Sequence, residues 1–90
     1  MLTLKTTSQF QKDYKKSVKS GRNMKRLKQV MSWIASEQPL PSVLRVHKLI
    51  GNYKVRCECH LAGDWLLIYK LEKDTVIFER TGSHSELLKK

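Results

Sequence analysis

Apolar residues near the start of the chain recur at the spacing of an amphipathic helix. Phe10, Tyr14 and Val18 are four residues apart and would form one apolar stripe on a helix. Thr7 or Ser8 is a suitable N-terminal cap, because a hydroxyl oxygen can accept a hydrogen bond from a free amide of the first turn. The short alternating segment at residues 2–6 predicts an opening strand.

A second amphipathic helix follows the first. Ser20-Gly21 is expected to end the first helix, because glycine readily adopts the left-handed backbone conformation that closes helices. Asn23 is a suitable cap for the next helix. The apolar stripe of this second helix comprises Met24, Leu27, Met31 and Ile34, widened by Val30 and Trp33. The two stripes predict a helical hairpin with basic outer faces.

The rest of the chain has the alternating pattern of strands. Pro39 and Pro41 stop helix formation, so residues 37–51 are predicted to form a loop that contains His47. Strands are predicted over residues 53–60, 65–71 and 75–80, with turns at Ala62-Gly63-Asp64 and Glu72-Lys73-Asp74.

These elements predict an α+β fold over residues 1–90, which we treat as one domain because of its length. Two helices would pack on one face of an antiparallel sheet of about four strands, and a short helical segment would follow from Ser83. The other face would be free for a groove. A domain of this size buries only roughly 60–65% of the surface of its unfolded chain. An open groove suits a polymeric substrate better than a small metabolite.

Positive charge is concentrated in the first half of the chain. The net charge is +10; residues 1–50 hold 11 Lys/Arg against two acids, and residues 51–90 hold 7 against 6. This asymmetry favours nucleic acid or the ribosome as partner, although a solvated helical face is the simpler alternative. The residues predicted to bind RNA or the ribosome are Lys12, Lys15, Lys16, Lys19, Arg22, Lys25, Arg26, Lys28, Lys54 and Arg56.

The sequence shows no sign of a membrane segment or a metal site. No apolar run approaches the ~18 residues of a membrane span, and the N-terminus lacks the apolar stretch of a signal peptide. A cytoplasmic location without membrane contact is therefore expected. Cys57 and Cys59 would point to one strand face and His60 to the other, whereas a structural zinc site needs four ligands together. We expect no metal and no cofactor, and we expect both cysteines to be buried.

A small set of side chains could carry chemistry: His47, His60, His84, Asp64 and Arg80. Histidine titrates at about pH 6.5, so it can act as an acid or a base at neutral pH. Arginine can bind two phosphate oxygens at once. This set suits RNA cleavage without metal, in which the ribose 2′-OH attacks the adjacent phosphate.

Each of these residues also has a structural interpretation. A single histidine in a small domain is more often structural or exposed than catalytic. Asp64 beside Gly63 is also typical of a turn. Glu58 is expected to be a solvated or ion-paired strand residue. Trp65 is expected in the core, with a base-stacking edge as the alternative.

The second half of the chain contains four motifs in a specific order. They are His47-Lys48-Leu49 with Gly51, Arg56-Cys57-Glu58-Cys59-His60, Asp64-Trp65-Leu66-Leu67-Ile68-Tyr69 and Phe78-Glu79-Arg80-Thr81-Gly82-Ser83-His84. Together they resemble the YafQ-type branch of the RelE/ParE toxin superfamily. The opening strand and the basic helix pair also fit, so the resemblance covers nearly the whole chain.

The resemblance implies a RelE-like fold and a toxin of a type II toxin–antitoxin system. Such a toxin would cleave mRNA in the ribosomal A site, with the 70S ribosome and mRNA as partners. A cognate antitoxin would wrap and neutralise it, and the toxin–antitoxin complex would bind operator DNA through the antitoxin.

The resemblance also implies a role for each residue of the catalytic set. His84 would be the general acid, and Asp64 or His60 would be the base. His47 would position or stabilise the phosphate, and Arg80 would bind it.

Two other functions remain open from the sequence. The first is a ParE-like toxin of the same fold that binds DNA gyrase and cleaves nothing. Three histidines with an aspartate and an arginine argue against it, because a gyrase binder needs no acid–base set. The second is an RNA-binding module without activity, for which histidine substitutions would have no effect.

Overall fold

The computed structural model describes residues 1–48 and 55–87. The strands are β1 (Thr3–Thr6), β2 (His47–Lys48), β3 (Val55–Ala62), β4 (Trp65–Leu71) and β5 (Thr75–Ser83). The helices are α1 (Ser8–Lys19), α2 (Met24–Ala35) and the short α3 (His84–Leu87), with a 3-10 turn at Ser42–Leu44. Lys54, one of the residues expected to bind RNA, lies outside the described residues.

The five strands form one sheet in the order β1-β5-β4-β3-β2. The α+β class, with two main helices and a short C-terminal helix, is confirmed. β3, β4 and β5 are antiparallel because tight turns join them. β1 is the exception, since it pairs in parallel with β5. No hairpin links these two strands, so the alternation pattern alone does not determine their relative direction.

The expected helix caps are present. The Thr7 hydroxyl accepts a hydrogen bond from the Phe10 amide at 3.0 Å and donates one to the Glu79 carbonyl at 3.0 Å. The cap of α1 is thereby tied to β5. Asn23 caps α2 by accepting from the Arg26 amide at 3.2 Å. Gly21, in the linker between the helices, has a φ of +76°, which favours glycine.

The core lies between the helices and one face of the sheet. Its side chains include Phe10, Leu27, Val30, Ile34, Cys57, Cys59, Leu61, Trp65, Leu67, Tyr69 and Phe78. Both cysteines are buried, as expected, and they form no disulfide. Burial raises the pKa of Cys59 to about 12, so this thiol stays protonated at neutral pH.

The base-stacking alternative for Trp65 is wrong. Its side chain is only 2% exposed. Its indole nitrogen donates to the Thr81 hydroxyl at 3.0 Å. Trp65 is therefore part of the core, and its polar atom already has a partner inside the protein.

The apolar stripe expected on α1 is partly wrong. Phe10 is buried, but Val18 is 52% exposed, and the polar Asp13 and Ser17 are buried in its place. A spacing of four residues advances about 40° beyond one helical turn. Two such steps rotate Val18 out of the interface, whereas Ser17 stays close to the direction of Phe10.

Two elements extend beyond their expected limits. His47 lies on β2 and pairs with Glu58 of β3, in contrast to the loop that the sequence predicts at this position. β5 continues to Ser83, so Gly82 lies inside a strand. A Cβ atom on Gly82 would come within 3.0 Å of Glu86 Oε1. Glycine therefore allows α3 to pack closely against β5.

Within residues 1–48 and 55–87, no helix is long and apolar enough to cross a membrane.

Candidate active site

Two histidines meet around a buried carboxylate. Glu58 and His60 alternate with the core cysteines on β3 and therefore point to the opposite face of the sheet. Glu58 Oε2 lies 3.5 Å from His47 Nε2 and 3.4 Å from His60 Nε2. The two imidazole rings are 5.9 Å apart. Glu58 is only 4% exposed, so its carboxylate faces the two imidazoles rather than solvent.

The two histidines differ in surroundings. The side chain of His47 is 53% exposed, and its Nδ1 lies 3.1 Å from the Arg45 carbonyl. A carbonyl only accepts, so Nδ1 carries the proton of this bond. The side chain of His60 is 20% exposed, and its buried Nδ1 has no hydrogen-bond partner among the described residues. His60 therefore keeps one ring nitrogen uncommitted.

The same three side chains could hold a metal ion. The ligand atoms of His47, Glu58 and His60 lie within 4.8 Å of one another. Imidazole nitrogen and carboxylate oxygen suit zinc and copper, and catalytic zinc sites use three protein ligands. The residues therefore fit such an ion. The sequence pattern does not reveal this set, because it predicts a loop at His47 and so gives no sign that His47 pairs with the strand of Glu58 and His60.

Asp64 and His84 are neighbours through the backbone. Asp64 lies in the exposed turn between β3 and β4, and its carbonyl accepts from the His84 amide at 2.8 Å. His84 is the first residue of α3. The Ser83 hydroxyl accepts from the Glu86 amide at 3.2 Å, and Glu86 accepts from the Ser83 amide at 2.8 Å. This reciprocal cap fixes the turn that carries His84.

Arg80 lies across the sheet from the histidines. Glu58 pairs with Ile68 on β4, and Ile68 pairs with Arg80 on β5. Directly paired residues face the same side of a sheet. Two strand spacings place the Cα atoms of Glu58 and Arg80 roughly 10 Å apart.

His47, Glu58 and His60 form the histidine cluster, and the structure does not bring the guanidinium of Arg80 into contact with it. The group binds Asp13 of α1 instead, with Nε 2.7 Å from Oδ2 and Nη2 3.3 Å from Oδ1. The hydrogen bond to Asp13 raises the pKa of Arg80, so the guanidinium stays charged.

An open groove of about 660 Å³ runs beside His60. Arg26 of α2 and Arg45 line it, together with the turn at Gly63. Two cations beside an imidazole would suit a phosphate chain. No sequence motif marks Arg45, because its place in the groove depends on the fold around the 3-10 turn.

The expected RNA-binding residues fall into two groups. Exposed lysines on α1 and α2 form the lysine surface, defined as Lys12, Lys15, Lys16, Lys19, Lys25 and Lys28. The arginines are engaged within the protein: Arg22 stacks 5.3 Å from the Trp65 ring centre, Arg26 donates to the Leu61 carbonyl, and Arg56 pairs with Glu79. The helices cover the core face of the sheet. The lysine surface and the histidine cluster therefore lie on opposite sides of the sheet.

Comparisons with known proteins agree with this architecture. A family model described as bacterial toxin of type II toxin–antitoxin system, YafQ, matches residues 2–89. The mRNA interferase toxin YafQ of Escherichia coli strain K12 is 39% identical over 82 residues, which are 90% of this chain and 89% of that relative.

Solved structures of similar chains have the same fold. The metal-bound toxin from Helicobacter pylori has a TM-score of 0.90 at 44% identity, covering 97% of this chain and 99% of that one. The toxin–antitoxin complex DinJ-YafQ of E. coli contains a similar chain, with a TM-score of 0.88 at 37% identity over 96% of each chain.

Proposed function

The chain belongs to the YafQ family of bacterial type II toxins, and from this premise we propose that it is an endoribonuclease that cleaves mRNA on the ribosome. The observation that supports this activity most strongly is the cluster of His47, Glu58 and His60. Two imidazoles share one buried carboxylate on the face of the sheet opposite the core cysteines. Such a cluster suits proton transfer, and a toxin that only bound gyrase would have no use for it.

The reaction needs a base for the ribose 2′-OH, an acid for the departing 5′-oxygen, and cations for the extra charge on the phosphate. We assign the acid to His84, because it is exposed at the start of α3. Asp64 or His60 takes the proton of the 2′-OH. His47 stabilises the phosphate, Arg80 binds it, and Glu58 holds the imidazoles of His47 and His60 in place. The proposed steps use no metal ion, and an ion held by His47, Glu58 and His60 would occupy imidazole nitrogens that the reaction needs.

His84 gives the sharpest test of this assignment. His84→Ala should lower the single-turnover cleavage rate on mRNA-programmed 70S ribosomes by about 10²–10⁴-fold, because the leaving oxygen loses its acid. Ribosome affinity should hardly change, since binding depends on contacts elsewhere. Ser85→Ala, on the next residue of α3, is the matched control and should cleave normally.

The alternative interpretation makes His84 a structural residue at the start of α3. In that case His84→Asn and His84→Gln should retain cleavage close to that of the wild type. Near-normal rates for both variants would remove His84 from the mechanism.

The partners follow from the same proposal. We expect a cognate antitoxin to bind and neutralise the chain, because a similar chain from E. coli has been solved in the DinJ-YafQ toxin–antitoxin complex. The complex would bind operator DNA through the antitoxin. The site of action would be the ribosome in the cytoplasm. Gyrase supercoiling assays separate this from the ParE-like alternative: the chain should leave supercoiling unaffected.

A further inference from the structure

Helix α1 carries one buried charge, and that charge binds Arg80, a residue of the proposed site. Asp13 is 7% exposed. Burying a carboxylate is costly unless hydrogen bonds compensate for the lost water. The partners of Asp13 lie on β5, with one exception: Gln9 on α1 donates at 3.1 Å.

The contact with Arg80 uses only one side of the guanidinium. Arginine presents five N–H donors on a planar group. Nε and Nη2 donate to the two oxygens of Asp13 at 2.7 and 3.3 Å. Among the residues that the structure describes, no acceptor binds Nη1, and the Arg80 side chain is 36% exposed. Nη1 therefore has no partner among the described residues and could donate to a phosphate while Nε and Nη2 bind Asp13.

Asp13 also holds the backbone of β5. Its Oδ2 accepts from the Thr81 amide at 3.1 Å. The Thr81 hydroxyl in turn donates to the Leu66 carbonyl at 2.8 Å and accepts from Trp65. This fixed point on β5 lies three residues before His84. One carboxylate therefore fixes both the arginine and the strand that leads to the proposed acid.

We propose that Asp13 is a positioning residue for cleavage: it holds Arg80 with its open edge toward the scissile phosphate. This inference rests on the proposed function. A lysine in place of Arg80 could not do the same, because its ammonium is a compact charge. It lacks the planar set of donors with which arginine can bind a carboxylate on one side and a phosphate on the other.

The test uses Asp13→Asn, which keeps the shape of the side chain and removes its charge. Misplacing a binding group by about 1 Å can cost on the order of 10²-fold in rate. We expect single-turnover cleavage on saturating programmed ribosomes to fall by about 10- to 100-fold, with ribosome affinity unchanged. Val30→Ala, at a buried core position of α2, is the control for a general loss of stability. It should cleave at a normal rate at a temperature where both variants are folded.

The decisive comparison is the double variant with Arg80→Ala. If Asp13 acts through Arg80, then Asp13→Asn should cause no further loss in that background. An equal loss in both backgrounds would show that Asp13 serves only the fold, and normal cleavage by Asp13→Asn alone would also overturn the proposal. If Asp13→Asn does not fold, Asp13→Glu keeps the charge and moves the carboxylate, and the same cycle applies.

The charge-exchanged pair Asp13→Arg with Arg80→Asp provides an independent check. It should recover thermal stability without recovering cleavage, and recovery of both would contradict a positioning role. Failure of the proposed function gives a different result: the wild-type chain would not cleave, or Arg80→Ala would cleave normally. Either result would also remove the reaction that Asp13 is proposed to serve.

Discussion

At the scale of single residues, two buried carboxylates organise the candidate site. Glu58 lies between His47 and His60, and Asp13 holds Arg80. Buried carboxylates add little net stability compared with apolar residues of the same size. Their proposed role is to position the side chains that they contact: His47 and His60 for Glu58, and Arg80 for Asp13. The sequence offered His47, His60 and Arg80 through the family motifs, but it could not show these partners.

Glu58→Gln tests the histidine cluster. Glutamine keeps the shape of the side chain and removes the charge that both imidazoles face. We expect at least about 10-fold slower cleavage, a loss on the scale of an impaired acid–base group. Thermal unfolding should show that the fold persists. Cys57→Ser, at the buried neighbour on the core face, is a useful contrast. It should reduce stability while the folded fraction still cleaves. Normal cleavage by Glu58→Gln together with loss of cleavage by folded Cys57→Ser would contradict the role given to Glu58.

Metal at the cluster should compete with the proposed chemistry. Zinc would occupy the nitrogens of His47 and His60 that face Glu58. We expect calorimetry to show zinc binding by the wild type and much weaker binding by His47→Gln. Zinc should inhibit cleavage, and chelator should leave cleavage intact once the magnesium requirement of the ribosome is met. Cleavage that requires added zinc would contradict the metal-free mechanism.

The cap of α3 gives a prediction about pH. Hydrogen bonds from Lys16 and from the Ser83 amide lower the pKa of Glu86 from 4.5 to about 2. A lowered folded-state pKa means that the cap is fully formed above about pH 4.5 and is lost as the pH falls toward 2. The Ser83 amide signal in NMR should therefore titrate near pH 2. Lys16→Gln should raise this midpoint, and Lys15→Gln should not. A midpoint of 4.5 in the wild type would contradict the cap.

At the scale of elements, local signals were sufficient for the helices and for the hairpins. Hydroxyl and amide caps mark where α1 and α2 begin, and tight turns define β3, β4 and β5. These local signals do not show which side of α1 faces the sheet. Its interface follows Asp13 and Ser17, and Asp13 is buried against donors of β5, Arg80 and the Thr81 amide, that only the folded chain supplies. The two-residue β2 is likewise defined by its pairing with β3 rather than by its own sequence.

The lysine surface should bind ribosomal RNA. Phosphate contacts release counterions, so affinity should fall as salt rises. Changing Lys15, Lys19 and Lys25 to Gln should weaken 70S binding and reduce its salt dependence, while the fold remains intact. Lys16 is excluded because it pairs with Glu86 at 2.5 Å.

The matched control for the lysine surface removes charge elsewhere. Lys5→Gln with Lys73→Gln affects exposed positions on β1 and on the turn before β5. This variant should bind ribosomes normally. Equal weakening per charge removed by the two sets would mean that net charge, rather than this surface, determines affinity.

At the scale of the whole molecule, the sheet separates two surfaces. The helices bury one face and present lysines to solvent, and the other face carries the histidine cluster and the row that leads to Arg80. This layered arrangement is predictable from the sequence, because an alternating strand has one face to bury and one to expose. The sequence does not show which site residues touch, because contact depends on strand register and on side-chain partners from α1.

The most direct test of the central claim is the chemistry of the cleaved bond. The account requires the ribose 2′-OH to attack the adjacent phosphate. Programmed 70S ribosomes would carry mRNA with a single 2′-deoxy nucleotide immediately 5′ of the mapped cleavage site. We expect no cleavage at that bond, whereas the unmodified message should yield a 2′,3′-cyclic or 3′-phosphate end. Cleavage at the deoxy position, or a 3′-hydroxyl product, would contradict the account and indicate attack by water.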